Sequence, residues 1–183
     1  MKREGGLKIL KQNIQNQNLI KHSLAVEAIM RALAQRFGED EEKWGLAGLL
    51  HDLDYEKTKN DPKQHSLIGA KMLEDLEINK EVCQAVRSHN EIHGILPQTR
   101  LEKALFVTDS LTGLIVASAL ILPSKKLTDL TSENILNRFK EKAFARGVNR
   151  EIIKKSEEYL NWSLEEFVRI GLGAIQKIAE ELE

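Results

Sequence analysis

Cysteine is almost absent. The chain of 183 residues holds one, Cys83. That excludes an intramolecular disulfide and a cysteine zinc cluster and fits a reducing, cytoplasmic setting. Nothing around Cys83 activates its thiol, so it is expected as a small core residue. Proline is also scarce, with three residues, so little interrupts helical patterning. Charge of one sign is not in excess: 27 Lys and Arg face 28 Asp and Glu, a formal net charge of −1. No global positive field drives non-specific binding to a phosphate backbone, and nucleic acid is not expected as a partner. No continuous apolar stretch follows Lys2 and Arg3, so no signal peptide is expected. The one long apolar run, Ala104 to Leu122, is interrupted by Asp109. An Asp at the centre of a membrane span costs about 2.5–3.5 kcal/mol. The run is expected as the most buried helix of a bundle, with no membrane partner. A hydrophobic fraction of 42% with 30% charge is that of an ordinary globular chain, and one domain is expected at this length.

What is present is helical periodicity, with no alternating strand pattern. Helices are expected near Leu7–Gln17, Asn18–Phe37, Asp40–His51, Gln64–Leu76, Lys80–Asn90 and from Thr99 through the apolar run. Three more follow near Ser132–Phe144, Arg150–Leu160 and Ser163–Leu182. Asp40 has the chemistry of an N-cap, and Gly38 that of a C-terminal stop. Thr99 with Glu102, and Ser163 with Glu166, have capping-box spacing. Tyr55 to Lys63 reads as a loop through Asn60-Asp61-Pro62. The class is all-α, with a core over residues 18–122 and a C-terminal helical extension over 123–183. The last helix carries an apolar face (Leu164, Phe167, Val168, Leu172, Ile175, Ile178) that packs onto the core or joins a second copy in a homo-oligomer.

The histidines are few, five in all, and four fall on apolar faces. His22 is in register with Val26, Ile29, Leu33 and Phe37. His51 ends the run Leu46, Ala47, Leu49, Leu50 and is followed by Asp52. His65 shares a face with Gly69, Met72 and Leu76, and His89 with Val82, Ala85 and Val86. Asp109 is flanked at helical spacing by Leu105, Phe106, Thr112 and Gly113. One such histidine is ordinarily a satisfied core residue. Six inward groups on five converging helices are costly to bury unless something compensates them, and a divalent metal does so with these donor types. The fifth histidine, His93, reads as a solvated loop residue.

The ordered set His22, His51-Asp52 and Asp109 resembles the HD-domain superfamily of metal-dependent phosphohydrolases, an all-α fold. His65 and His89 match the added histidines of its two-metal members. The resemblance covers residues 18–122. It implies one or two divalent ions, drawn from Mn, Fe, Co, Ni, Zn and Mg. One would be held by His22, His51, Asp52 and Asp109, the other by His65 and His89, with Asp52 bridging. It implies hydrolysis of a phosphoester, in a nucleotide or other small phosphorylated metabolite, by a metal-activated water. Asp52 is then a catalytic carboxylate as well as a ligand. Asp54 and Glu56 are candidates for proton transfer or for hydrogen bonds that orient the ligands. HDIG members carry Gly where this chain has Asp54. The paired histidine of the HD-GYP group is here His89-Asn90, without a Gly-Tyr-Pro element, so a cyclic-dinucleotide substrate is not implied. Tyr55-Glu56-Lys57 and the run Phe139–Arg150 also resemble a group of HD hydrolases with no secure substrate.

Phosphoryl chemistry asks for cations near the developing charge. Lys71 and Arg87 on core helices, and Lys140, Lys142, Arg146 and Arg150 in the extension, are the substrate-binding candidates. The extension cluster either lines a phosphate entrance or is a basic helix face. The same ligand order also resembles di-iron oxygenases of this fold, and a non-catalytic metal- or nucleotide-binding module would need the fold alone.

Overall fold

A computed structural model describes residues 1–182. Among them there are helices and turns and no strand. The first two helices, α1 (Arg3–Asn13) and α2 (Gln17–Phe37), are separate. The break comes at Asn16, whose side chain accepts a hydrogen bond from the backbone N–H of Asn18 and caps α2. Glu56, far along the chain, accepts from the backbone N–H groups of Gln15 and Asn16 and fixes the same turn. Gly38, in the left-handed region at φ 67°, closes α2.

Asp40 caps α3 (Glu41–Leu50) through the N–H of Lys43, and α3 runs back along α2. Their backbones come close at Gly48, where a Cβ would lie 2.9 Å from Glu27 Cα and N. Only glycine allows that approach. Glu27 is buried at the same crossing and takes Arg3 Nε at 2.8 Å and Arg31 Nε at 2.9 Å. Arg31 reaches on to Glu42 at 2.8 Å. This charge network joins α1, α2 and α3, and no hydrophobic pattern announces it.

Residues 55–63, expected as a loop, begin with one helical turn, α4 (Tyr55–Thr58). The next helix, expected from Gln64, begins only at Leu67: α5 is Leu67–Asp75. Ser66 stands before it at φ 71°. That strained backbone is over-determined by two bonds, from Ser66 N–H to Asp54 at 2.9 Å and from Ser66 Oγ to the Arg87 carbonyl at 3.2 Å. Asn79 caps α6 (Lys80–Ser88), which pairs with α5.

Thr99 and Glu102 form the expected capping box at the start of α7 (Arg100–Leu120). On length and composition α7 would cross a bilayer; here it is the central rod, packed by α2, α6, α9 and α10. The extension holds α8 (Ser132–Lys140), α9 (Arg150–Lys154), α10 (Ser156–Leu160), α11 (Leu164–Gln176) and α12 (Ala179–Leu182). The helices expected over 150–160 and 163–182 are each split in two. Ser163 accepts from Glu166 N–H at 3.2 Å. The apolar face of α11 packs on α2, α7 and α8, with Phe167, Val168 and Ile175 fully buried. Residues of core and extension therefore share one hydrophobic core. Cys83 is buried in it as expected.

Candidate metal centre

Two ligand-type histidines sit at helix ends, and local physics orients them. His51 follows α3 and His89 follows α6, where the last carbonyls lack helical partners. Each ring spends its Nδ1–H on such a carbonyl: His51 on Gly48 at 2.8 Å, His89 on Val86 at 2.6 Å. In the neutral ring that leaves the Nε2 lone pair of each facing inward, free for a cation. His51 Nε2 is fully buried and has no hydrogen-bond partner.

Asp52 is the hub. Its Oδ1 lies 3.4 Å from His51 Nε2, 3.3 Å from His65 Nε2 and 3.5 Å from His89 Nε2. Its Oδ2 is 3.9 Å from His22 Nε2. Asp109, on α7, places Oδ1 2.9 Å from His22 Nε2 and 3.6 Å from His51 Nε2. The imidazoles touch in sequence, His22 to His51 to His89 to His65, at centroid spacings of 5.2, 5.2 and 5.1 Å. Two sets bring one ligand atom per residue within 4.8 Å of one another: His22, His51 and Asp109, and His51, Asp52 and His89. All six ligand candidates thus meet in one place, although only His22 and Asp109 stand within helices, His51 and His89 just past helix ends, and Asp52 and His65 in turns.

Asp54 lies behind this set, fully buried. Its Oδ1 is 3.0 Å from His65 Nδ1, and its Oδ2 accepts from the N–H groups of Ser66 and Gly69, each at 2.9 Å. Of the two roles open to it, the geometry is that of orienting His65. Glu56 is on the surface, committed to the turn before α2. His93 is not the solvated loop residue the sequence suggests. Its Nε2 is 2.7 Å from the His65 carbonyl oxygen, beside Asn90 Nδ2 at 3.3 Å. Asn90 caps the turn and Gly94 ends it at φ 63°, so the chain folds His93 back onto the His65 segment. The Asn90-to-Gly94 bracket is the signal that could have shown this.

The cations sort themselves. Lys71 pairs with Asp75, and Arg87 with Glu74 at 2.6 Å, so each core candidate already has a carboxylate. Lys140, Lys142 and Arg146 are exposed, and none has a carboxylate within 4.0 Å among the described residues. Arg150 is turned into backbone carbonyls.

Electrostatics describe a site short of positive charge. Burial pushes the His51 imidazole down, but the nearby Asp52 and Asp109 carboxylates outweigh it and hold the ring up at about 9. His65 is likewise opposed by burial and raised to about 10 by Asp52 and Asp54. Burial pushes the Asp52 and Asp109 carboxyls up, yet the imidazoles hold both well below the usual carboxylate range. Protons thus occupy the place a cation would take. The unpartnered His51 Nε2, the bare His89 Nε2 and two ionised carboxylates fit a divalent ion with nitrogen and oxygen ligands. Access is from one side. The Asp109 side chain is 36% exposed and that of His22 22%, against 0% for His51 and 2% for His89.

Comparison with known proteins agrees with this geometry. The HD domain family matches residues 19–114. Ribonuclease Y of Lawsonia intracellularis is 32% identical over 141 residues, covering 74% of this chain and 26% of that protein. Ribonuclease Y of Nitratidesulfovibrio vulgaris (strain DP4) is 32% identical over 142 residues, 75% of this chain and 27% of that protein. The Enterococcus faecalis protein of that name is 30% identical over 175 residues, 91% and 32%. The chain thus spans about a quarter to a third of these relatives' length. From the matched segment and the six converging ligands, the chain belongs to the HD-domain family.

Proposed function

We propose that the protein is a metal-dependent phosphohydrolase that cleaves a phosphoester in a nucleotide or other phosphorylated substrate. The observation that carries this is the buried, unpartnered His51 Nε2 beside Asp52 and His89. A buried imidazole nitrogen without a partner is costly unless an ion completes it. When bound, a divalent ion lowers the pKa of a water and polarises phosphoryl oxygens. The chain does the rest. Four imidazoles and two carboxylates would hold one or two ions, with Asp52 at the hub of the set. Asp54 fixes His65, the Gly48 and Val86 carbonyls fix His51 and His89, and Asp109 with His22 faces the opening.

Charge balance offers no reason to expect a nucleic-acid partner, but that exclusion finds no support. The curated relatives are ribonucleases by name, and a short or single-stranded phosphodiester belongs among the substrates tested. The experiment is metal analysis of untagged protein joined to a phosphoester panel, nucleotides and oligonucleotides included, with Mn, Mg, Co, Ni, Zn and Fe. Bound metal with chelator-sensitive phosphate or nucleotide release is expected. Oxygen uptake with iron bound would make it an oxygenase, and a flat panel at full metal occupancy would make it a binding module.

A further inference from the structure

The opening of the centre has a neighbour. Asp109 faces it, and Gly113 lies one turn further along the same face of α7. Against Gly113 sits Val148, with Cγ2 3.3 Å from where a Cβ would be. The residue after it, Asn149, donates from Nδ2 to both carboxylate oxygens of Glu91, at 2.9 and 3.0 Å. Glu91 is two residues past His89. Val148 and Asn149 therefore anchor the end of the 141–149 segment against Gly113, one turn from Asp109, and against Glu91, two residues from His89.

One side chain shapes this loop from within. Arg150 Nε donates to the Phe139 carbonyl at 2.8 Å. Its Nη2 donates to those of Phe144 at 2.6 Å, Glu141 at 3.0 Å and Arg138 at 3.4 Å, and its Nη1 to that of Val148 at 3.4 Å. A guanidinium spent on five carbonyls is a template for a loop, since its fork of donors is planar and fixed. Arg138 is paired with Glu141 at 2.8 Å. Lys142 and Arg146 are left on the loop, exposed and without a carboxylate within 4.0 Å among the described residues. Exposed cations without a carboxylate partner are free to bind an anion.

We propose that residues 141–149 are a phosphate-binding loop at the mouth of the centre, in which Lys142 and Arg146 take a second anionic group of the substrate and Arg150 is the positioning residue. This rests on the phosphohydrolase reading for its substrate class, but its test needs no turnover. The favoured substrate carries two anionic groups, one at the metal ligands and one at the loop.

Calorimetry on the Mn-loaded full chain compares thymidine 3′,5′-bisphosphate with thymidine 5′-monophosphate. The wild type is expected to bind the bisphosphate at least ~10-fold more tightly, since each added charged contact is worth a sizeable factor. In Lys142→Ala with Arg146→Ala the ratio of the two affinities falls towards one. It falls also in Arg150→Lys, which keeps the charge but not the fork. Metal content, measured by plasma mass spectrometry, stays at the wild-type level in each. A merely structural Arg150 would weaken both ligands alike and leave the ratio. A wild type that binds neither ligand, or both equally, overturns the loop; so does a double variant that keeps the ratio. A preserved ratio in Arg150→Lys overturns its positioning role, and Asn149→Ala tests the Glu91 tether should that variant not fold. If the ratios behave as expected and no phosphoester is cleaved, the hydrolase reading falls and the loop stands. Cleavage without a ratio reverses that.

Discussion

Asp52 is one oxygen pair facing four imidazoles, and substitution there should be the most damaging at the centre. An amide in its place would be isosteric but uncharged. In Asp52→Asn the charge that raises His51 and His65 is gone, and so is the carboxylate proposed to hold the metal. We expect loss of bound metal and a fall in chelator-sensitive hydrolysis of about 100-fold or more, with helicity by circular dichroism retained. Asp54→Asn tests a subtler role. Both Asp54 oxygens accept, one beside His65 and one from two backbone N–H groups. An amide offers one acceptor oxygen and turns an N–H₂ towards donors on the other side. Metal affinity, read by Mn titration, should drop about 10–100-fold, the usual effect of loosening a ligand's support. The convergence of the candidate ligands was legible, because helical periodicity alone put His22, His89 and Asp109 on inward faces. The supports were not. Asp54 meets His65, and His93 meets the His65 carbonyl, only once the turns between helices have folded, and no period in the sequence encodes that.

Elements bring those residues together, and α2 against α3 is the contact that matters most. His22 rides on α2, while α3 delivers His51 and Asp52 from its end. Gly48→Ala places a methyl 2.9 Å from the Glu27 backbone, which no rotamer change relieves. The helices must part, at a cost of about 1–3 kcal/mol, and His22 must move from its partners. Urea unfolding and Mn titration should report both losses together. Glu27→Ala strips the same crossing of its charge without inserting bulk. It leaves Arg31 paired with Glu42, so we expect about 1–2 kcal/mol less stability and a smaller change in metal affinity than for Gly48→Ala. Most long helices were legible from caps and periodicity: Asp40 and Thr99 start α3 and α7, and Gly38 ends α2, as their chemistry dictates. The start of α5 was not, because Ser66 holds φ 71° through bonds to Asp54 and to the Arg87 carbonyl. A non-glycine residue in that region is chosen by tertiary contacts, not by propensity.

At the scale of the molecule, protons and the proposed metal would compete for one cluster, and that competition would set how stability varies with pH. In metal-free protein His51 and His65 are raised from 6.5 to about 9 and about 10. A raised group stabilises the fold fully below its unfolded value and loses that contribution as pH climbs through its folded value. Their share is thus whole below about pH 6.5 and gone above about pH 10. Asp52 and Asp109 are depressed, so their share is present above the ordinary carboxylate value and is lost as acid protonates them. Chelated protein should melt lower at both extremes, with the alkaline fall spread from about pH 6.5 to about pH 10. Metal reverses the alkaline limb. Its ligands must be unprotonated, so binding expels the protons held by His51 and His65. Each displaced proton makes binding more favourable by about 1.4 kcal/mol per pH unit while that group is still protonated in the free protein. The gap in melting temperature between metal-loaded and chelated protein should therefore widen steadily from about pH 6 to about pH 8.5, as thermal scans in matched buffers would show. A gap that stays constant over that range would mean the ion binds somewhere other than among these imidazoles.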